Sequence, residues 1–207
     1  GEILFEMRPY FDNVYLIANK NDSEFLVHVS QIMKKNNIPQ ANLLSINDTD
    51  SQSETLLTGI NQFPKIDGPI IVHNIDTILY GRDFKKIRNE LSKKDGYIDI
   101  FHSNNPNYSY IINDKNKVIN ISEKTLISSN ASSGMYGFSS AGVVEKYYVN
   151  GYISEIYQKM IADDLNISSG KIHSLDDTIV LGTPNEYSSL SYLFFGKNCK
   201  WKKVKLK

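Results

Sequence analysis

The sequence predicts an α/β fold, a single domain of three layers around a mixed, mostly parallel central sheet. Three observations carry this. Up to Phe101, short β-branched runs alternate with segments of helical spacing, the order that builds βαβ units and a parallel sheet. From Tyr108 to Phe138 the chain changes to short strands joined by polar turns such as Asn113-Asp114-Lys115-Asn116, which adds antiparallel strands to the parallel half. No repeat, linker or low-complexity stretch divides the 207 residues, so one domain over 1–207 is expected, ending in a basic tail at about 197–207.

Asn13 to Ala18 is a short apolar run of strand type. Ser23 can cap a helix that carries Phe25, Leu26, Val29, Ile32 and Met33 on one face and stops near Asn36 and Asn37, ahead of Pro39. Asn42 to Ile46 reads as a second strand, and Ser51 or Ser53 opens a helix through Leu56, Leu57 and Ile60 that ends before Pro64. Pro69 to His73 is the clearest buried strand, a continuous apolar run after a Gly-Pro break. Asp83 opens a helix with Phe84, Ile87 and Leu91 on one side, and Tyr97 to Phe101 is the next strand. Strands follow at Tyr108–Ile112, Val118–Ile121 and Met135–Phe138, then helices at about 140–148 and 153–163. A last strand at 178–181 leads through Gly182-Thr183-Pro184 into a final helix.

Composition excludes several partners. Lys plus Arg and Asp plus Glu both number 23, so the net charge is zero. The chain then has no electrostatic footprint for nucleic acid or an anionic membrane. Lys197, Lys200, Lys202, Lys203, Lys205 and Lys207 read as a solvated end, with a phosphate-binding arm as the second reading. The single cysteine, Cys199, rules out an internal disulfide and any zinc site built from several cysteines, and it fits a reducing cytoplasm. No apolar run reaches membrane-spanning length and no signal peptide is recognisable. His28, His73, His102 and His173 show no metal-ligand spacing.

Gly68-Pro-Ile-Ile-Val-His-Asn-Ile-Asp76 is the stretch richest in chemistry. A buried strand ends in polar residues at its carboxyl end, where open α/β sheets bind ligands. In an extended conformation Asn74 and Asp76, two apart, point the same way. Asp76 could then ligate Mg2+, which needs few protein carboxylates because water and phosphate oxygens complete its shell. The same pair also fits an Asx-type turn after the strand.

This stretch is similar to the strand ending in Asn-x-Asp of the sugar-phosphate nucleotidyltransferases, enzymes with a GT-A-like Rossmann fold that make nucleotide sugars. Further matches come in the family's order. Gln52-Ser-Glu-Thr55 resembles the helix start that faces the nucleotide base. Glu123-Lys124, with Asn130-Ala-Ser-Ser-Gly134-Met-Tyr136-Gly-Phe138, resembles the segments that line the sugar pocket. Leu181-Gly-Thr-Pro184 resembles the closing Gly-Thr-Pro motif, and Gly1 to Glu6 the stretch after the family's first loop. The resemblance runs from residue 1 to about residue 190. It implies Asp76 as ligand of the catalytic Mg2+, the one cofactor, and Lys124 as a second catalytic residue on the sugar phosphate. It also implies Gln52, Thr55, Asn74, Glu123, Asn130, Gly134 and Tyr136 as substrate-binding residues. The substrates implied are a nucleoside triphosphate and a sugar phosphate, in cytoplasmic synthesis for capsule or other surface polysaccharide.

Two departures qualify the resemblance. The family's Gly-rich activation loop would precede Gly1 and has no counterpart in these residues, and Val180 stands where the family often has a second metal-binding Asp. Asp176 and Asp177 lie just upstream without matching that position. The chain reads either as a fragment of a longer protein or as one whose activity has decayed. Two rivals follow: a GT-A glycosyltransferase using Asn74-Ile75-Asp76 as its metal motif, and a catalytically degenerate nucleotide-sugar-binding module. The base, the sugar and any homo-oligomer are left open by the sequence.

Overall fold

The computed structural model describes residues 7–188 except 36, 40, 41 and 65. The basic tail, Cys199, Trp201, the Gly1–Glu6 segment and the end of the final helix lie outside the described residues.

The first layer-forming unit is β1 (Leu16–Asn19), α1 (Ser23–Lys35) and β2 (Leu43–Ile46), with β1 and β2 parallel. Helix α1 packs Val29 and Met33 against Leu16, Leu43 and Ile38, the face its apolar spacing predicts. α2 (Gln52–Gln62) begins at Ser51, whose hydroxyl accepts the Glu54 amide at 3.1 Å, satisfying one donor of the first turn. β3 (Ile70–His73) and β4 (Thr77–Leu79) follow, then α3 (Phe84–Leu91), capped by Asp83 on the Lys86 amide at 2.9 Å.

β5 (Gly96–His102), β6 (Tyr110–Asp114), β7 (Lys117–Ser122) and β8 (Asn130–Phe138) build most of the main sheet. α4 (Ala141–Tyr147), α5 (Ile153–Ala162), β9 (Ile167–Ser169) and β10 (Thr178–Val180) follow, with short 3-10 turns at Arg8–Tyr10 and Leu175–Asp177, and residues 184–188 are helical. The main sheet has the order β3-β8-β5-β9-β7-β6. β8 is antiparallel to both β3 and β5, β9 is parallel to β5, and β7 is antiparallel to β9 and β6. Four strands (β3, β5, β9 and β6) therefore point one way and β7 and β8 the other. This is the mixed, mostly parallel sheet expected.

Alternation along β5 and β8 creates the three layers. Ile98, Ile100, Tyr136 and Phe138 face α2, α4 and α5, where Leu56, Val144, Tyr147, Ile156, Tyr157 and Met160 form the larger core. Tyr97 and Met135 face the opposite side and meet Phe84, Ile87 and Leu91 of α3. At Gly137 a Cβ would stand 2.8 Å from Leu91, so glycine lets α3 approach the sheet.

The differences from expectation have local causes. β8 begins at Asn130, five residues before the expected Met135, because its Ala-Ser-Ser-Gly opening has little β-propensity and is held by ladders to β5 and β6. β9 and β4 were not expected as strands: each has three residues and too short a pattern to read. β4 pairs antiparallel with β10 in a ribbon separate from the main sheet.

Candidate functional site

The site is built where β3 ends. The strand stops at His73, and Asn74 to Asp76 form a tight turn, the Thr77 amide donating to the Asn74 carbonyl at 3.3 Å. Of the two geometries the sequence leaves open for Asn74 and Asp76, extended or turned, the turn is the one that forms, because β4 starts immediately afterwards and must fold back to meet β10. Two glycines clasp this turn. Gly134 in β8 has φ +82, and a Cβ there would lie 2.8 Å from Asn74 Nδ2. Its carbonyl accepts the Asn74 amide at 3.2 Å. On the other side, a Cβ on Gly182 would lie 2.7 Å from Asp76 Oδ2, and the Leu181 amide donates to the Asp76 carbonyl at 2.7 Å. Only residues without a side chain let both polar groups sit so close to the neighbouring backbone.

Asp76 is half-buried; Oδ1 accepts the Thr77 hydroxyl at 3.2 Å. Glu186 lies beyond Gly182, with Oε2 3.7 Å from the Cβ position. Tyr108 donates to its Oε1 at 2.9 Å and Thr183 to its Oε2 at 2.9 Å. Glu186 also donates its amide to Thr183 Oγ1 at 3.2 Å, so Thr183 caps the helical segment beginning at 184. Burial, followed by the bond to Glu186, pushes the Tyr108 phenol far up, which keeps it protonated as donor. Val180, at the position of the family's second aspartate, packs against Phe101, Tyr110 and Ala131 in an apolar cluster. No group of three or more His, Cys, Asp or Glu side chains suited to a metal occurs among the described residues. A Mg2+ ion with one carboxylate and an otherwise water and phosphate shell fits the Asp76 turn; a cage of protein ligands does not.

His73 precedes this turn. Its Nε2 donates to the Thr77 carbonyl at 2.9 Å, which fixes the tautomer and leaves Nδ1 bare and without a partner. Burial holds its pKa below the ordinary value, opposed by the Thr77 bond and by Asp99 and Asp76.

A second cluster joins through β8. Glu123, half-buried, accepts the hydroxyls of Ser109 and Ser154, the latter at 2.6 Å. The Ser109 carbonyl accepts the Ser132 amide at 2.8 Å, and Ser132 Oγ accepts the Gly134 amide at 3.2 Å. A continuous hydrogen-bonded path therefore leads from Glu123 to the glycine that touches Asn74. Tyr136 is 4% exposed, its ring 5.5 Å from that of Tyr157, and its hydroxyl bonds with Ser132 and Ser109. It sits within the core behind this path. Lys124 is exposed, with φ 50; its ammonium lies 4.4 Å over the Tyr152 ring and bonds the Tyr152 hydroxyl. That bond raises its pKa.

Gln52, exposed, opens α2. The helix start is tied to the α4–α5 loop: Ser51 donates to Asn150 Oδ1 at 2.6 Å, and Ser53 exchanges bonds with Gly151 at 2.8 and 3.0 Å. Tyr152 follows directly, so the helix start carrying Gln52 and the Lys124 ammonium meet at one loop. Thr55 is occupied within the helix start, bonding Thr49 at 2.5 Å and the Ser51 carbonyl at 3.1 Å. Asn130 stands apart: it donates to Asn113 Oδ1 at 3.0 Å, and four residue steps along the strand, roughly 13 Å, separate it from Gly134.

Sequence reasoning missed the groups that hold these residues: Ser109, Ser154, Tyr108, Tyr152, and a fully buried pair, Arg82 and Asp99. Only the pair left a signal, since Asp99 interrupts the apolar run Tyr97-Ile-Asp-Ile-Phe and a buried carboxylate requires a partner.

About nine-tenths of the chain superposes on each of several solved structures. A nucleoside-diphosphate-sugar pyrophosphorylase of Vibrio cholerae RC9 matches with a TM-score of 0.74 and 24% identity over 90% of this chain and 84% of that one. The fold is that of the sugar-phosphate nucleotidyltransferases. A structure from Bacillus anthracis assigned as a glucose-1-phosphate thymidylyltransferase shares this nucleotidyltransferase fold at a TM-score of 0.70 and 14% identity, over 92% of this chain and 78% of that one. The inositol-1-phosphate CTP transferase of T. maritima shares it at 0.65 and 7%, over 94% and 82%. No protein-family model and no curated protein matches the sequence. No helix among the described residues is long and apolar enough to cross a membrane.

Proposed function

We propose that this chain binds a nucleoside triphosphate and a sugar phosphate and forms a nucleotide sugar from them. The observation that carries the reading is the Asn74–Asp76 turn, clasped between Gly134 and Gly182 at the carboxyl end of a strand in a nucleotidyltransferase fold. The solved neighbours named as a pyrophosphorylase and as thymidylyl- and CTP-transferases support the reaction class.

Asp76 would hold Mg2+, which when bound offsets charge on the triphosphate oxygens. Asn74, fixed against Gly134, orients the turn and offers its amide to a phosphate. Glu123 presents a carboxylate held by two serine hydroxyls, suited to a sugar hydroxyl. Lys124 supplies a cation for the sugar phosphate; its bond to Tyr152 keeps that cation beside the α2 start, where Gln52 can meet a base. Thr55, bonded within the α2 start, and Tyr136, in the core behind the Glu123 path, support the site from behind, and Asn130 enters the substrate-binding set by the family resemblance alone. The residues then act by placing the attacking sugar-phosphate oxygen in line with the α-phosphorus, so that the new P–O bond forms as the α–β phosphoanhydride breaks and pyrophosphate leaves. The use of the product in capsule or surface polysaccharide, and a cytoplasmic location, rest on the family resemblance.

A thermal-shift titration against nucleoside triphosphates and nucleotide sugars, with and without Mg2+, tests this. Ligand at about 100 times its dissociation constant stabilises by roughly 2.7 kcal/mol. The parent shows a magnesium-dependent shift for one base, and Asp76→Ala loses the magnesium dependence while keeping its fold. An Asp76→Ala variant with the parent's magnesium dependence refutes the assignment.

A further inference from the structure

The ribbon of β4 and β10 carries the cation site at one end. Asp76 precedes β4, Leu181 and Gly182 follow β10, and the two ends are joined by the Leu181 amide on the Asp76 carbonyl at 2.7 Å. The ribbon has three residues per strand and no backbone ladder to the main sheet. An isolated two-stranded pair of this length is marginal and sets its own register weakly. Leu79 and Val180 anchor it by apolar packing, which disfavours a one-residue slip because it would turn Leu79 outward, and leaves a two-residue slip to be excluded by other contacts.

At the other end stands Arg82. Its Nε and Nη2 donate to Asp99 Oδ2 at 3.1 and 2.9 Å, and both side chains are 0% exposed. Nη2 also donates to Thr178 Oγ1 at 2.6 Å, and Nη1 to the carbonyls of Tyr80, at 2.9 Å, and of Asp177. One guanidinium thus grips the residue after β4, the residues where β10 begins, and the middle of β5. The planar fork of arginine satisfies these acceptors in one geometry only. A buried ion pair adds little net stability over well-packed apolar residues of similar volume, and fixing register is its best-attested use.

We propose that the buried Arg82–Asp99 pair is a positioning element of the Asp76 site, locking the β4–β10 ribbon in the register that sets the Asp76 carboxylate against Gly182. The proposal rests on the reading of Asp76 as the cation-holding residue. Neither side chain touches substrate; they act through the ribbon.

The test compares the parent with a charge-free double variant, Arg82→Met with Asp99→Leu, and with Arg82→Lys, which keeps the charge and loses the fork. Mn2+ binding is measured by electron paramagnetic resonance without nucleotide, and amide hydrogen exchange is followed at Leu181 relative to α5. Expected is a folded double variant whose Leu181 amide loses protection while α5 keeps it, and whose Mn2+ affinity falls about tenfold or more, as for outer-shell partners of metal ligands. Arg82→Lys moves both readouts in the same direction and serves alone if the double variant does not fold. Unchanged Leu181 protection and Mn2+ affinity in a folded variant overturn the proposal. If the parent binds no Mn2+, or Asp76→Asn binds it as well as the parent, the cation reading of Asp76 is what fails. Protection at Leu181 then decides the positioning claim by itself.

Discussion

Replacing Gly134 by alanine tests whether the Asn74 turn depends on an absent side chain. The backbone there has φ +82, a region that costs an L-residue roughly 1–2 kcal/mol. The new methyl would also stand 2.8 Å from Asn74 Nδ2, 3.2 Å from its Cγ and 3.3 Å from its Cβ. Forcing such a contact into a packed site costs about 1–3 kcal/mol. Together these predict a loss of about 2–5 kcal/mol, and at about 2–4 °C per kcal/mol for a domain of this size the melting temperature falls by roughly 4–20 °C. Urea denaturation and thermal unfolding measure it. A double-mutant cycle separates the causes: Asn74→Ala in the Gly134→Ala background removes the two closest atoms and leaves the backbone cost. The double variant should therefore be more stable than the sum of the single losses predicts. Strict additivity, or a Gly134→Ala protein as stable as the parent, refutes the reasoning.

Gly142, at the second position of α4, has no atom nearer than 3.8 Å to its Cβ position, so Gly142→Ala should stabilise by about 0.4–1 kcal/mol in urea titrations; a loss of stability contradicts the open space seen there. His73 makes folding pH-dependent. Its pKa lies at the model-compound 6.5 when unfolded and lower when folded, so only the unfolded chain gains a proton just below 6.5. Stability is full above that value and falls as pH drops towards the folded pKa, by up to about 1.4 kcal/mol per unit. Part-exposed His173, also lowered by burial, adds a slope of the same sign. His73→Gln should flatten this limb in denaturation curves at pH 7.5 and below, and an unchanged slope excludes His73 as its source.

The helices and the central strands were legible because each has a period or a run long enough to read. Asp83, and Ser51 or Ser53, were marked as helix starts, and the side-chain oxygens of Asp83 and Ser51 each accept a first-turn amide. What escaped were elements held by tertiary contact alone: the seryl opening of β8, and three-residue strands whose partners are distant in sequence. At the site the functional candidates, both glycines and an Asx-type turn were visible as residue types, and the clasp that brings them together and the serines that hold Glu123 were not. Those depend on segments up to about a hundred residues apart meeting in space, as Gly182 meets Asp76, and no local pattern encodes that. Tyr136 shows the limit plainly: its sequence position resembles a pocket residue, and its burial puts the ring in the core.

Gly134 and Gly182 also govern how this chain can drift over generations. A polar residue such as Asn74 can be traded for another of similar size, because several side chains offer an amide or a hydroxyl. A backbone point held at φ +82 against Asn74, as Gly134 is, tolerates no ordinary exchange, and one pressed by the Asp76 carboxylate, as Gly182 is, accepts a side chain only where that carboxylate moves. Divergence should therefore erode overall identity long before it touches these two positions. Their spacing from the Asn-x-Asp turn, more than the turn itself, is then the trace by which distant kin of this chain can be recognised.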